Sequence, residues 1–216
     1  MDGIDALTDG FWQHSQSELQ APSVHFTYLP AAFLEARFEE NFQKKNHPNH
    51  YIFTDSDVAI VDDLGDVFKR YPEFHMALTF RNNKDQPLNS GFIAVRGTLE
   101  GLTKAKIFLQ KVLEVYSSKY MKASRMLGDQ LALVWVVKSH PSFDTKRFTR
   151  REAFLEEIHE ASVLFLPCAI YNWTPPEGAG QFHGMPLDVK VDGFLLYHCH
   201  LSVGSFFRIT VTLFYS

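Results

Sequence analysis

The sequence predicts an α/β fold, one domain built on a parallel sheet, and two observations carry that expectation. A β-prone segment, Val24–Leu29 (VHFTYL), is followed by an amphipathic stretch from Ala31 to Lys45 and then by a second β-prone run, Tyr51–Thr54 (YIFT). Strand, helix and strand in that order form a βαβ unit, whose crossover lays the two strands parallel. The second observation is compositional. Of 216 residues, 45% are hydrophobic and 21% charged, which suits a folded domain with a substantial core.

Taken in order, residues 1–22 form a polar lead-in with turn signals at Asp9-Gly10 and Ala21-Pro22. That stretch has neither the basic start nor the apolar core of a secretory signal or membrane anchor. The helix that follows VHFTYL begins at Pro30 and sets Phe33, Leu34, Phe38 and Phe42 on one face. His47-Pro48-Asn49 ends it. Beyond the Tyr51 strand, Leu64–Tyr71 reads as a short helix closed by Pro72, and Phe74–Phe80 as a third strand. Leu88–Val95 (LNSGFIAV) is a strand with an internal glycine, a sign of a bulge or of close backbone approach. Leu102–Tyr120 carries Ala105, Phe108, Leu109, Val112, Leu113 and Tyr116 at helical spacing. The wholly apolar LALVWVV at 131–137 reads equally as helix or strand. Val163–Ile170 is a strand interrupted at Pro167, and the loop 171–183 is rich in Pro, Gly and aromatic residues. No internal repeat or second domain is visible.

The net charge of −4 and the lack of any Lys/Arg-rich run argue against a nucleic-acid partner. The two cysteines, Cys168 and Cys199, do not make a disulfide scaffold, and a bridge between them has no support in their spacing.

The chemistry concentrates in His50–Asp63, HYIFTDSDVAIVDD. Asp55 and Asp57, two apart on extended backbone, point to one side of the strand. At the carboxyl end of a central strand they would face the crevice where open α/β sheets bind ligands. Two like charges there invite a hard divalent cation bridging to phosphate oxygens, although a solvated turn capping the next helix uses the same residues.

Four stretches in this order, TDSDV at 54–58, LNSGFIAVRG at 88–97, GDQLAL at 128–133 and YNWTPPEGAGQF at 171–182, resemble the plant-type nucleotide-diphospho-sugar transferase family. These are GT-A glycosyltransferases similar to cell-wall arabinosyl- and xylosyltransferases, and the likeness covers about residues 24–191. It implies a GT-A-like, Rossmann-like mixed and mostly parallel sheet with helices on both faces. It also implies transfer of a sugar from a nucleotide-diphosphate donor to a glycan or glycoprotein acceptor. Asp55 and Asp57 match the pair that holds Mn²⁺ or Mg²⁺ against the diphosphate. Asn89, Ser90 and Gly91 match the segment beside the donor sugar. Asp129 and Gln130 match the catalytic-site pair that reads sugar hydroxyls, with helix capping as the plain role for Asp129. Trp173 is placed to stack on an acceptor sugar, or simply to anchor its loop.

Relative to that family, the domain spans residues 23–191, and the segment 192–216 is an atypical apolar tail. One strand, VHFTYL, precedes the Asp55 strand where the family has a fuller base pocket. The tail stands where the family carries a His-Phe-x-Gly segment whose His is a third metal ligand. His198 and His200 are candidate substitutes. The expectation is therefore an incomplete domain, with an inactive remnant as an alternative outcome. Golgi residence follows from the resemblance alone, and the tail is a poor membrane span because Arg208 interrupts it. A rival class, the HAD-type phosphotransferases, also places Asp-x-Asp after an apolar strand. There Asp55 would attack phosphate, Leu78-Thr79 would supply the Ser/Thr motif and Gly128-Asp129 the late acid. Ala59 departs from that pattern, and the Asn89 and loop motifs stay unexplained by it.

Overall fold

The computed structural model describes residues 30, 31, 33–35, 37, 49–55, 58–81, 83, 85–122, 128–174, 184–192 and 210–215, with 191–192 and 210–215 followed through their backbone. In chain order the strands are β1 Asn49–Thr54, β2 Ala59–Ile60, β3 Met76–Phe80, β4 Leu88–Val95, β5 Phe154–Ile158, β6 Ala161–Pro167, β7 Val191–Asp192 and β8 Thr210–Tyr215. The helices are α1 Asp66–Arg70, α2 Leu99–Val115, α3 Gly128–Lys138 and α4 Cys168–Tyr171. A helical segment is also present among residues 30–37.

The sheet at the centre has six strands in the order β5-β6-β3-β4-β1-β8, and β2 pairs separately with β7. The fold is thus α/β on a single mixed sheet. Among these pairings only β3 with β6 is parallel; β1–β4, β1–β8, β3–β4 and β5–β6 are antiparallel. The mostly parallel sheet anticipated from the strand order is corrected here. Connection length explains the difference: residues 81–87 between β3 and β4 are too few for a crossover, so β4 must return antiparallel. The VHFTYL strand that suggested the βαβ unit lies outside the described residues.

One consequence of the expected directionality survives. Because β4 runs against both β1 and β3, those two strands point the same way, and β6 joins them. The carboxyl ends of β1, β3 and β6 therefore share an edge with the amino end of β4.

Both faces of the sheet are buried. Tyr51 and Phe53 of β1, Met76, Leu78 and Phe80 of β3, and Val163 and Phe165 of β6 pack into a large cluster. The same cluster takes in Phe108, Leu109 and Val112 of α2 and Leu133, Val136 and Val137 of α3. The intervening residues Ile52, Ala77, Leu164 and Leu166 pack on the other face with Val67 and Phe68 of α1 and Tyr171 of α4. Strict alternation of this kind is what a strand covered on both sides requires. Helices accordingly lie on both faces, as expected.

LALVWVV is helical, and its lack of a periodic signal follows from its surroundings. Ala132, Leu133, Val134, Val136 and Val137 are all buried, so no polar face marks the turn of the helix. The α2 helix starts at Leu99, capped by the Thr98 hydroxyl, which accepts from Gly101 N–H at 3.1 Å; its last turn, Tyr116–Tyr120, is π-helical. Val163–Ile170, read as a strand interrupted at Pro167, does break there: β6 ends at Pro167 and α4 begins at Cys168.

Strand β4 breaks its own alternation. Leu88, Ile93 and Val95 belong to the larger cluster, and Phe92 and Ala94 to the smaller. Leu88 and Phe92 would share a face on a regular strand. The register against β3 slips at the same place, from Leu78 opposite Ile93 to Thr79 opposite Asn89. Residues Ser90, Gly91 and Phe92 fall in that slip, so the internal glycine does mark a bulge.

Candidate functional site

The shared edge gathers polar side chains from separate parts of the chain. Asp55 follows β1, Asn89 and Gly91 lie in the β4 bulge, and Asn172 follows α4. The Gly91 N–H donates to Asn89 Oδ1 at 2.6 Å, and Asn172 Nδ2 donates to the same oxygen at 2.8 Å. The backbone N–H of Asp55 donates to Gly91 O at 3.2 Å. A Cβ built on Gly91 would stand 2.9 Å from Asp55 Oδ2, 3.0 Å from Asn89 Oδ1 and 3.2 Å from Asn172 Nδ2. A carboxylate and two amides thus converge on one backbone position, and only glycine leaves them that room. Close backbone approach and bulge, read from the sequence as alternatives, are both present.

Both lone pairs of Asn89 Oδ1 are engaged by these two donors. That fixes the two amides: Asn89 turns its NH₂ away from the contact, and Asn172 turns its oxygen away. The Asn89 NH₂ and the Asn172 oxygen remain as a donor group and an acceptor group, a combination suited to hydroxyl groups.

A second group lies where β3 ends and α3 begins. Asp129 and Gln130 occupy the first turn of α3, each 7% exposed. Asp129 Oδ1 accepts the Gln130 N–H at 2.7 Å, and burial pushes the carboxyl up from 3.8 to about 6. Gln130 Nε2 reaches Gln86 Oε1 at 3.2 Å, and Arg81 Nη2 meets that same oxygen at 3.1 Å. The two groups are joined through β3. The Thr79 hydroxyl donates to Asn89 O at 3.1 Å and is hydrogen-bonded with the Cys168 thiol, beside the Arg81 charge. Burial raises that thiol to about 11, and Cys168 is a free cysteine; Cys199 lies outside the described residues.

Asp55, Asn89, Gly91, Asp129 and Gln130, each marked from the sequence, therefore lie at or next to one edge. Ser90 is nearly buried inside the bulge, and Trp173 is half-buried directly after Asn172. Asp57, His198 and His200 lie outside the described residues. Sequence reasoning did not single out Asn172, Arg81 or Gln86. The YNW motif contained Asn172, but its partner is 83 residues away and nothing local announces it.

A divalent metal is implied by the Asp-x-Asp spacing. Among the described residues no three His, Cys, Asp or Glu side chains are grouped to hold one. Asn89 Oδ1 already accepts two hydrogen bonds, and Asp55 is the described carboxylate beside it. A carboxylate oxygen is a hard ligand, and Mg²⁺ or Mn²⁺ takes one or two carboxylates and completes its shell with water and phosphate oxygens. Asp55 is one carboxylate of that kind.

No protein-family model, curated protein or solved structure matches the chain. Among the described residues no helix is long and apolar enough to cross a membrane.

Proposed function

We propose that this chain is a nucleotide-sugar-dependent glycosyltransferase domain of the GT-A type, moving a sugar from a nucleoside-diphosphate donor to a glycan or glycoprotein acceptor. One observation carries the reading. Of four stretches chosen for their sugar-transferase resemblance, three bring polar residues (Asp55, Asn89, Asn172) together at the carboxyl edge of one sheet, and the fourth bonds through Gln130 to Gln86 in the loop that joins β3 to β4 there. Ligands of open α/β sheets bind at such an edge.

In this reading Asp55, with Asp57, holds Mn²⁺ or Mg²⁺. The metal, when bound, neutralises charge on the departing diphosphate. Asn89 and Asn172 offer a donor and an acceptor to sugar hydroxyls, and their mutual hydrogen bond holds both in place before the ligand arrives. Asp129 and Gln130 read further hydroxyls from the start of α3. Trp173 offers a face to the acceptor.

The phosphatase alternative fares worse on one point. Thr79 is fully buried and its hydroxyl is spent on Asn89 O, so it is not available to grip a phosphate.

The test is titration calorimetry of the 216-residue chain with UDP and a panel of UDP-sugars, with and without Mn²⁺, beside Asp55→Asn. Binding should require metal in the wild type and lose that requirement in the variant. Equal, metal-independent binding by both proteins, or binding by neither, overturns the proposal.

A further inference from the structure

Arg81, Gln86 and Gln130 form a side-chain relay that the proposed chemistry does not itself use. Arg81 grips Gln86 twice, Nε donating to its backbone oxygen at 3.2 Å and Nη2 to its Oε1 at 3.1 Å. Oε1 also accepts from Gln130 Nε2 at 3.2 Å. An amide oxygen has two lone pairs, and both are now committed.

The consequence falls on Gln130. A glutamine amide is nearly symmetric in shape, so nothing in packing alone decides which end faces a ligand. Here Arg81 decides it at one remove. A guanidinium can only donate, so it draws the oxygen of Gln86 toward itself; that oxygen then draws the NH₂ of Gln130. The Gln130 oxygen is turned away from Gln86, on the residue that follows the Asp129 carboxylate. Resting on the nucleotide-sugar reading above, we propose that Arg81 and Gln86 are positioning residues. They lock Gln130 with its oxygen presented, so that the start of α3 sets that acceptor next to the Asp129 carboxylate and selects donors by their sugar hydroxyls. Lysine at 81 would not serve, because a single ammonium does not reproduce the fork that holds the backbone and side-chain oxygens of Gln86 together.

The experiment compares UDP-sugar and UDP binding, both with Mn²⁺, in the full chain and in Arg81→Lys, Gln86→Met and Gln86→Glu. Glutamate keeps an oxygen that accepts from both neighbours and is the conservative rescue. Arg81→Lys and Gln86→Met should weaken the preferred UDP-sugar by about tenfold while UDP stays within about twofold, the size of one lost hydrogen bond. Gln86→Glu should retain the wild-type preference for sugar over UDP. An unchanged sugar-to-UDP ratio in Arg81→Lys and Gln86→Met overturns the positioning role and leaves the nucleotide-sugar reading standing. Equal losses for both ligands, or failure of both variants to fold, also overturn it, since the relay would then serve the fold. A wild-type chain that binds neither ligand overturns both proposals.

Discussion

The side-chain amide of Asn172 donates to the amide oxygen of Asn89 at 2.8 Å, joining the end of α4 to the bulge of β4. With the Gly91 N–H on the same oxygen, this bond determines which polar atoms the edge displays. Asn172→Asp places an oxygen where the donor stood, so the Asn89 amide must turn or repel. Loss of one such bond costs about 1 kcal/mol, and an unsatisfied or opposed group up to about 3 kcal/mol. Asn172→Ala should sit at the lower figure and Asn172→Asp at the higher in urea melts. Nucleotide-sugar affinity should fall in the same order, and an Asp variant indistinguishable from wild type in both measurements would sink this account.

Gly91→Ala separates site from fold. The added methyl meets the ends of the Asp55, Asn89 and Asn172 side chains rather than backbone, so the sheet can survive while the polar trio is pushed apart. Melting temperature should drop by only a few degrees, roughly 1 kcal/mol, while metal-dependent UDP binding is lost. Retained binding in a protein of normal stability would show that the three groups do not act together.

Asp129 and His50 make opposed contributions to stability between pH 4 and 6.5. Burial raises Asp129 from 3.8 to about 6, so the folded state holds the extra proton and stability falls as pH climbs through that window. His50, buried against Phe68 with Nδ1 accepting the Gly97 N–H, is lowered from 6.5 to about 4 by burial and then by the Arg96 charge. There the folded state holds fewer protons, and stability rises with pH. Each effect is worth about 3 kcal/mol, so they largely offset. Asp129→Asn should therefore be more stable than wild type at pH 7 and should lose about 3 kcal/mol on acidification from 6.5 to 4. The same variant should weaken UDP-sugar binding more than UDP binding. A fall in melting temperature at pH 7, matched by equal losses for both ligands, would make Asp129 a structural residue.

Arg96 provides the contrasting case, at the opposite end of β4. Its Nε donates to Phe74 O at 3.0 Å, its Nη2 to Phe68 O at 3.1 Å and Tyr71 O at 2.7 Å, and its guanidinium lies 4.6 Å from the Phe74 ring centroid. Arg96→Lys cannot keep all three carbonyls and should cost about 2–3 kcal/mol. Ligand affinity in the folded fraction should be unchanged. An affinity loss comparable to that of Gly91→Ala would mean that the two ends of β4 are coupled.

What could be read in the sequence was what depends on near neighbours. Leu88–Val95 was bounded correctly because its branched and aromatic run is flanked by turn residues. The helix over 102–120 was recognisable from its spacing, although Thr98 starts it earlier and the π-helical turn closes it. Strand β5, FLEEI, was not anticipated, since its two glutamates suit a half-covered edge strand more than a core one. Strand direction was misjudged because it depends on which strands become neighbours, and a chain order alone does not set that. For the site, residue types such as Asp55 and Asp129 drew notice through motif spacing. Asn172 did not, because its role exists only once β6 lies beside β3 and α4 reaches the β4 bulge, and Arg81 did not, because its bond to Gln86 gains a role only when α3 brings Gln130 to the same oxygen.

The slip in β4 has an evolutionary meaning. Leu88 and Ile93 lie five positions apart, with four residues between them, and reach the same core only because the bulge takes up the mismatch. Removing one of those four residues would restore an even spacing, so β4 could run straight with both side chains still in the core. Descendants of this sequence can thus shed the chemistry of the edge by substitution or by shortening the bulge, at little cost to the fold. A lineage that abandoned ligand binding would be free to straighten β4, so a bulge retained between Leu88 and Ile93 marks a chain that still uses the edge.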